Sequence, residues 1–329
     1  MDKLLTISIA AYNVEYYLEN CLDSIIDSKV KDYLEVFVVD DGGSDSSYEI
    51  AKKYEKKYPD IVHAIHKDNG GYGSVQNYSM KNATGKYFKI LDGDDWFSIP
   101  GLEELVKFLQ KSRADVVVTN YFKGNGINDL VNMEVGRSCP KEVLLDPNEI
   151  KEQFGMWALT YSTELLKKAQ LELPLHTLYT DRIYSTIPFG FAQSVFVLDC
   201  SVYCYRTGRD GQSISRDSRI KRANEFLDTT RELLQYYITK RVINKGYLLE
   251  KISMAYLYSI RVLLLLPITG ENQKKLVSYE KEAQIISPEI FSKAGCMKTK
   301  TSLILKMIRK SKYGGYWALK VIPKSMFDF

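Results

Sequence analysis

From Leu5 to Thr119 the chain alternates short apolar runs with segments of helical period, and the runs keep stopping at polar, mostly acidic clusters. The runs are Leu5–Ala11, Glu35–Val39, Ile61–Ile65, Tyr87–Leu91 and Val116–Thr119. Between the first two, Leu18, Leu22, Ile25 and Ile26 recur at helical spacing; after the fourth, Leu102, Leu105, Val106 and Leu109 do the same. Strands separated by helices predict an α/β fold with a mostly parallel sheet, because a parallel crossover needs enough chain to return over the sheet and lays a helix on its face. Such sheets bind ligands beyond the carboxyl ends of their strands. Tyr12-Asn13, Asp40-Asp41 and Asp92-Gly93-Asp94-Asp95 all fall at that end. The expectation is one polar rim, and that rim is the site.

Alternation along a strand points Asp92 and Asp94 to one side and turns Asp95 away. Two hard carboxylate donors suit Mg2+ or Mn2+ carrying a diphosphate, since these ions keep waters and take phosphate oxygens. Gly93 lets backbone approach a ligand closely. An acidic turn capping the next helix has the same composition. Asp40 and Asp41 offer acceptors to a nucleobase imide and a ribose hydroxyl, although Asp-Gly-Gly-Ser is also plain turn chemistry. The loop Asn69-Gly70-Gly71-Tyr72-Gly73 lacks both the Gly-Lys-Ser/Thr ending of a phosphate loop and the spacing of a dinucleotide loop. It reads as a wall of the pocket, with Gln76 and Asn77 offering polar contacts.

At 329 residues the chain holds one large domain or a core domain with an appendage, and its net charge of +4 demands no polyanion. No recognisable nucleic-acid module is present, so nucleic acid is not expected as a partner. Cys21, Cys139, Cys200, Cys204 and Cys296 form no Cys-x-x-Cys pair and read as reduced thiols. The first apolar run is too short for a signal peptide, and no stretch reaches the ~18 uncharged apolar residues of a membrane span. The longest, Ile252 to Ile268, is broken by Arg261 and contains Pro267. These features predict a cytoplasmic location.

Ala10-Ala11-Tyr12-Asn13, Asp40-Asp41-Gly42-Gly43-Ser44-Asp45, Asn69-Gly70-Gly71, Asn82-Ala83-Thr84-Gly85-Lys86-Tyr87 and Leu91-Asp92-Gly93-Asp94-Asp95 occur in an order that resembles the family 2 glycosyltransferases. The resemblance covers roughly the first 215 residues. It implies the GT-A (Rossmann-like) fold and inversion at the anomeric carbon. It assigns Tyr12 and Asp41 to the base, Asp92 to the ribose and metal, and Asp94 to the metal. Ala10, Ala11, Asn13, Asp40, Asn69, Gly70, Gln76 and Gly93 then surround the nucleotide. Two departures stand out: Ala10 replaces a usual proline, and Val75-Gln76-Asn77 replaces the common Ala-Arg-Asn, which removes a charge near the nucleotide. The catalytic base is expected within Leu178 to Tyr184, where Thr180 replaces the usual Glu and Asp181 keeps the aspartate. A carboxylate there takes the acceptor hydroxyl proton, although an aspartate at a helix start is also an N-cap. His176, Thr180, Arg206 and Arg209 are further contacts for acceptor or diphosphate; His63 and His66 receive no role.

The expected layout is a catalytic domain over 1–215, with a nucleotide-binding half to about 122 and an acceptor half from 123, then a helical region over 216–329. From Lys298 to the end there are eight Lys or Arg and one acid, Asp328, interleaved with Leu303, Ile304, Met307, Ile308, Trp317, Leu319 and Val321. Such a tail suits peripheral contact with the anionic inner face of a membrane, or equally a packed helix with a solvated basic face. The resulting expectation is an inverting, metal-dependent transferase moving a sugar from a nucleotide sugar, UDP-linked by family habit, to a glycan or lipid-linked acceptor. A nucleotidyltransferase is the alternative enzyme, but it wants a Gly-rich basic loop where Ala10-Ala11-Tyr12-Asn13 stands. A non-catalytic nucleotide-binding protein on the same fold is the third reading.

Overall fold

The computed structural model describes residues 2–208 and 216–321. The chain divides into two compact units, Met1–Asp210 and Gly211–Phe329. In the first, the chain runs β1 (Leu5–Ala11), α1 (Glu15–Ile26), β2 (Leu34–Asp40), α2 (Ser47–Lys57), β3 (Val62–His66), α3 (Tyr72–Asn82) and β4 (Tyr87–Asp92). It continues through β5 (Trp96–Phe97), α4 (Ile99–Leu109), β6 (Val116–Gly124), β7 (Val131–Met133) and β8 (Leu144–Leu145). Last come β9 (Leu159–Ser162), α5 (Thr163–Ala169), α6 (Asp181–Tyr184) and β10 (Val195–Arg206).

One sheet holds all ten strands, with the main order β3-β2-β1-β4-β9-β6-β10-β5. The four strands β3, β2, β1 and β4 are parallel, as the alternation predicts. Beyond them β9 runs antiparallel to both β4 and β6, and β10 returns parallel to β6. This second half is mixed, with β7, β8 and β9 all antiparallel to the strands they pair with. Every residue of β2 is buried, as is all of β1 except Ala10, the signature of central parallel strands covered on both faces.

Two sequence motifs serve the frame itself. The Glu35 carboxylate, buried, accepts from the Thr6 hydroxyl at 2.6 Å and from the Thr84 amide and hydroxyl at 2.9 and 2.7 Å. Gly85 follows because a Cβ there would lie 2.5 Å from the Thr6 nitrogen. The Asn82–Tyr87 motif thus sets the start of β4 against β1. Lys89, wholly buried in β4, donates to the Trp157 and Leu159 carbonyls at 2.9 and 3.1 Å, tying β4 to the segment that opens β9.

The second unit is helical: α7 (Arg216–Lys221), α8 (Ala223–Thr239), α9 (Lys245–Leu265), α10 (Gly270–Ile286), α11 (Pro288–Cys296) and α12 (Lys300–Lys310). The long α9 is buried around most of its circumference, which explains a run apolar on all sides. No helix among the described residues is long and apolar enough to cross a membrane. Arg309 on α12 pairs with the buried Glu280 of α10 at 2.6 and 3.0 Å, and Tyr256 donates to the same carboxylate. The apolar residues of the tail separate into two sets. Ile304, Leu305, Ile308 and Leu319 are buried, whereas Leu303 and Met307 are 63% and 51% exposed beside exposed Lys306 and Lys310.

Burial lowers the Lys89 pKa from 10.5 to about 7. Between those values the unfolded chain holds a proton that the folded chain has released, so stability contributed at Lys89 rises with pH across that window. In Lys89→Met that rise disappears. Urea midpoints measured from neutral to alkaline pH should climb less steeply in the variant than in wild type; parallel profiles would contradict the lowered pKa of the buried amine.

Candidate active site

The site begins as a matter of register. In the parallel pairing of β1 with its neighbours, Ala11 lies opposite Asp40 and Ala10 opposite Asp92. The three strand ends are therefore level, and whatever follows each of them meets on one rim. After β4 the chain turns at Gly93, whose amide donates to the Ala10 carbonyl at 3.1 Å. A Cβ there would sit 2.7 Å from that oxygen and 2.9 Å from Val14 Cγ2. Gly93 is thus required by its close approach to β1.

The same turn corrects the expectation for Asp95. Strand alternation ends at Asp92, the Asp95 amide closes back on the Asp92 carbonyl at 3.0 Å, and the third carboxylate swings inward. One oxygen each from Asp92, Asp94 and Asp95 lies within 4.8 Å of the others. Asp95 is buried; its carboxylate accepts from the Tyr203 hydroxyl at 2.5 Å and the Arg206 amide at 2.7 Å. Burial first, then repulsion from Asp92 and Asp94, holds its pKa well above the usual carboxylate range. Tyr203 also accepts from the Asp92 amide, and Tyr72 donates to Asp92 Oδ1 at 2.7 Å. Arg206 donates from Nε to the Asp94 carbonyl at 2.8 Å, and its guanidinium lies 4.9 and 4.6 Å from the rings of Tyr17 and Trp96. The donor set fits a hard divalent cation: all oxygen, anionic, crowded, and fixed by phenols on the protein side. Asp95 is committed to Tyr203 and Arg206, which leaves Asp92 and Asp94 as the outward-facing pair.

Asp40 and Asp41, expected against the nucleotide, are both buried and bonded within the protein. Asp40 accepts from the Gly43 amide at 3.0 Å and meets His66 Nδ1 at 2.6 Å, so His66 does have a role. Asp41 takes Lys67 Nζ at 2.6 Å, the amides of Gly70 and Gly71 at 3.0 and 2.7 Å, and the Ser74 hydroxyl at 3.0 Å. Its carbonyl accepts from Asn69 Nδ2 at 2.8 Å. The glycine-rich loop is therefore pegged to Asp41. Asn13, with φ 54°, accepts from the Ser44 amide and joins the first two strand ends. Tyr12 stands 51% exposed on the rim, Ala10 is half-buried and Ala11 is enclosed. Gln76 is wholly buried with neither amide atom bonded, so it does not line the rim as the sequence led one to expect.

The segment carrying His176, Thr180 and Asp181 is fastened to this loop. Asn77 makes a two-way pair with the Leu173 backbone, at 2.8 Å each way, and the His176 amide donates to the Gly70 carbonyl at 2.7 Å. Gly71 leaves room for that contact, since a Cβ would lie 2.9 Å from the His176 nitrogen. His176 takes φ 51° and exposes its ring. A few residues on, Thr180 is buried with an unbonded hydroxyl and Asp181 opens α6 half-buried. Burial raises the Asp181 pKa, with Arg182 opposing. Tyr72, bonded to Asp92, also meets Met156 Sδ at 3.2 Å, and the turn Met156–Ala158 packs on α6, which Asp181 opens. Arg209 lies outside the described residues.

Residues 6–161 match the family described as Glycosyl transferase family 2. That segment is a glycosyl transferase family 2 domain. GlyA, a glycosyltransferase of Streptococcus pneumoniae serotype 4, is 30% identical over 276 residues, 80% of this chain and 38% of GlyA. The uncharacterized glycosyltransferase EpsJ of Bacillus subtilis is 30% identical over 214 residues, 63% of this chain and 62% of EpsJ. The chain thus spans less than two thirds of either relative. The crystal structure of S. aureus TarS 1–349 in complex with UDP-GlcNAc aligns with a TM-score of 0.72 at 20% identity, covering 97% of this chain and 90% of that one. The shared architecture is the GT-A fold.

Tyr72, Tyr203 and Lys67 were given no role from the sequence, and Asp95 was turned away from the site. Tyr203 had a signal, because a tyrosine and an arginine at the end of a strand parallel to β6 fall on the same rim. Removing the Asp95 carboxylate strands the Tyr203 hydroxyl and the Arg206 amide. Asp95→Ala should therefore lose about 1–3 kcal/mol of stability, read as a lowered urea midpoint with no ligand present; an unchanged midpoint would contradict its structural placement.

Proposed function

We propose that this chain is an inverting, metal-dependent glycosyltransferase that moves a sugar from a UDP-linked donor to a hydroxyl of a glycan or lipid-linked acceptor in cell-surface polysaccharide or glycoconjugate synthesis. The observation that carries the reading is the pairing of two carboxylate sets: Asp92 and Asp94 at the end of β4, and Asp181 on α6, which packs on the same Met156–Ala158 turn that touches β4 and Tyr72. A single displacement needs this pairing. One set receives the donor's diphosphate, and the other takes a proton on the acceptor side. The UDP assignment draws on the likeness to TarS, which binds UDP-GlcNAc.

In this reading Asp181 accepts the acceptor hydroxyl proton as that oxygen bonds to the anomeric carbon and the bond to the diphosphate oxygen breaks. Its raised pKa keeps it a stronger base than an exposed aspartate. Tyr12 packs on the nucleobase, and Asp92 receives the ribose. Asp40 and Asp41 act by holding the loops that bound the base. Asp94 and Asp92 would hold Mg2+ or Mn2+, which neutralises charge on the departing diphosphate. Arg206, bonded to the Asp94 carbonyl, steadies the turn that carries the pair. His176 and Thr180 shape the acceptor side. The exposed face of α12, with Leu303, Lys306, Met307 and Lys310 at helical spacing, suits peripheral contact with an anionic inner leaflet from the cytoplasm.

The acid limb of the kcat/KM profile should lie above that of an exposed aspartate, with activity lost as pH falls and Asp181 protonates. Asp181→Asn should cost about 10²–10⁴-fold in transfer and leave thermal stability intact at neutral pH, since the amide removes a charge that burial disfavours. Full transfer by the variant would remove the base assignment. For the cation, EDTA should abolish wild-type transfer and Mn2+ restore it; restoration to the same extent in Asp94→Ala would refute that residue's role.

A further inference from the structure

From Lys298 to Val321 the second unit carries no acidic residue, and Lys298, Lys300, Lys306, Lys310, Lys312 and Lys320 are all exposed. Among the described residues none of these lysines has an acidic partner. Arg309 instead turns inward to the buried Glu280, and the Ser302 hydroxyl donates to the Ala294 and Gly295 carbonyls at 2.9 and 3.0 Å. Together with buried Ile304, Leu305 and Ile308, these bonds fix which side of α12 faces out. At helical period Lys300, Leu303, Lys306, Met307 and Lys310 fall on that outer side, and each is exposed. The chain then folds back on the end of α12. The Tyr313 amide donates to the Ile308 carbonyl at 2.8 Å, and the Gly315 amide to the Ser311 hydroxyl at 2.7 Å. The 3₁₀ turn Gly314–Val321 buries Tyr316 and Leu319 but leaves Trp317 and Val321 42% and 85% exposed. The Lys320 ammonium lies 5.0 Å from the Trp317 ring. Single exposed apolar side chains are ordinary, whereas large ones interleaved with cations, in a stretch without an acid, mark an interaction surface.

We propose that α12 and the Gly314–Val321 turn dock the chain on an anionic phospholipid bilayer, an inference that rests on the peripheral contact read above and gives it a lipid chemistry and a second anchor. Leu303, Met307 and Trp317 enter the headgroup region, and the flanking lysines neutralise phosphate charge. A helix lies in the plane of such an interface when cations border its apolar stripe. The stripe leaves water, and the long lysine stems still bring their ammonium groups to the headgroups. An indole with an apolar body and one polar edge settles at headgroup depth. Each lysine near an anionic surface strengthens binding about fivefold. A soluble polyanion would pair with the lysines but would leave Leu303 and Met307 in water. Charge and apolar surface together therefore select a bilayer.

The full chain is mixed with vesicles of phosphatidylcholine alone, or of phosphatidylcholine with phosphatidylglycerol, and binding is read by co-sedimentation and tryptophan emission. Calorimetry follows UDP binding with Mn2+ on the same protein. Binding is expected on the mixed vesicles, about tenfold or more tighter than on the neutral ones, and it should weaken as salt screens the lysines. Emission should shift to the blue on binding. Trp317→Phe, which keeps Trp96 and Trp157, should lose that shift. Lys306→Gln with Lys310→Gln should weaken binding about 25-fold, fivefold for each charge. Leu303→Ser with Met307→Ser should weaken it about tenfold or more. These side chains are exposed, so both double variants should keep the UDP affinity and thermal midpoint of wild type. No binding to the mixed vesicles, equal binding to neutral ones, or full binding by the Leu303/Met307 variant would overturn the anchor. So would binding to heparin with none to vesicles, which would mark a polyanion site. Self-association of the free protein that the Leu303/Met307 variant abolishes would assign the face to a second copy instead. Vesicle binding without UDP binding would keep the anchor and remove the donor reading; UDP binding without vesicle binding would do the reverse.

Discussion

The acids at the ends of β2 and β4 take their positions from the parallel register of β1 with both strands. Because Ala11 faces Asp40 and Ala10 faces Asp92, two acidic turns begin at the same height on either side of one strand. A slip of one residue between β1 and β4 would move the Asp92 turn off the Ala10 carbonyl, and one between β1 and β2 would displace Asp40 and Asp41 in the same way. The Glu35–Thr6–Thr84 network and Gly85 fix that register at the far end of the strands. The geometry of the rim is thus determined by bonds made at the opposite edge of the sheet.

From the rim, order passes sideways through the glycine-rich loop. Asp41 gathers Lys67, Gly70, Gly71 and Ser74, and Gly70 in turn holds His176. This chain of contacts links the nucleotide-side loop to the segment that delivers Asp181. It also gives a physical reason for two glycines in succession: the first crowds Ser74 and the second faces the His176 backbone, so neither position admits a side chain.

The first half of the fold was legible because its strands are buried on both faces and its helices carry a clear apolar stripe. β1 and the start of β4 coincide with their apolar runs residue for residue. The mixed half was not, since β9 and β10 owe their pairing to contacts distant in sequence. Within the site, sequence marks where acids lie but not where they point. Asp95 turned inward because the chain leaves β geometry at Asp92, and strand alternation cannot anticipate that. Asp40 and Asp41 looked like ligand contacts, yet their partners His66 and Lys67 sit on a neighbouring strand end that only the register brings near. Gln76 occupies the buried face of α3, a placement that the helix's weak amphipathicity concealed.

The most direct measurement is an anomalous difference map from crystals grown with UDP and Mn2+. The account predicts one manganese peak at the Asp92 and Asp94 carboxylates, the diphosphate beside it, and the uracil against Tyr12 on the β1–β2 side of the rim. Ordered UDP with manganese elsewhere, or with none, would contradict the assignment of the Asp92–Asp94 pair on which the transferase mechanism depends.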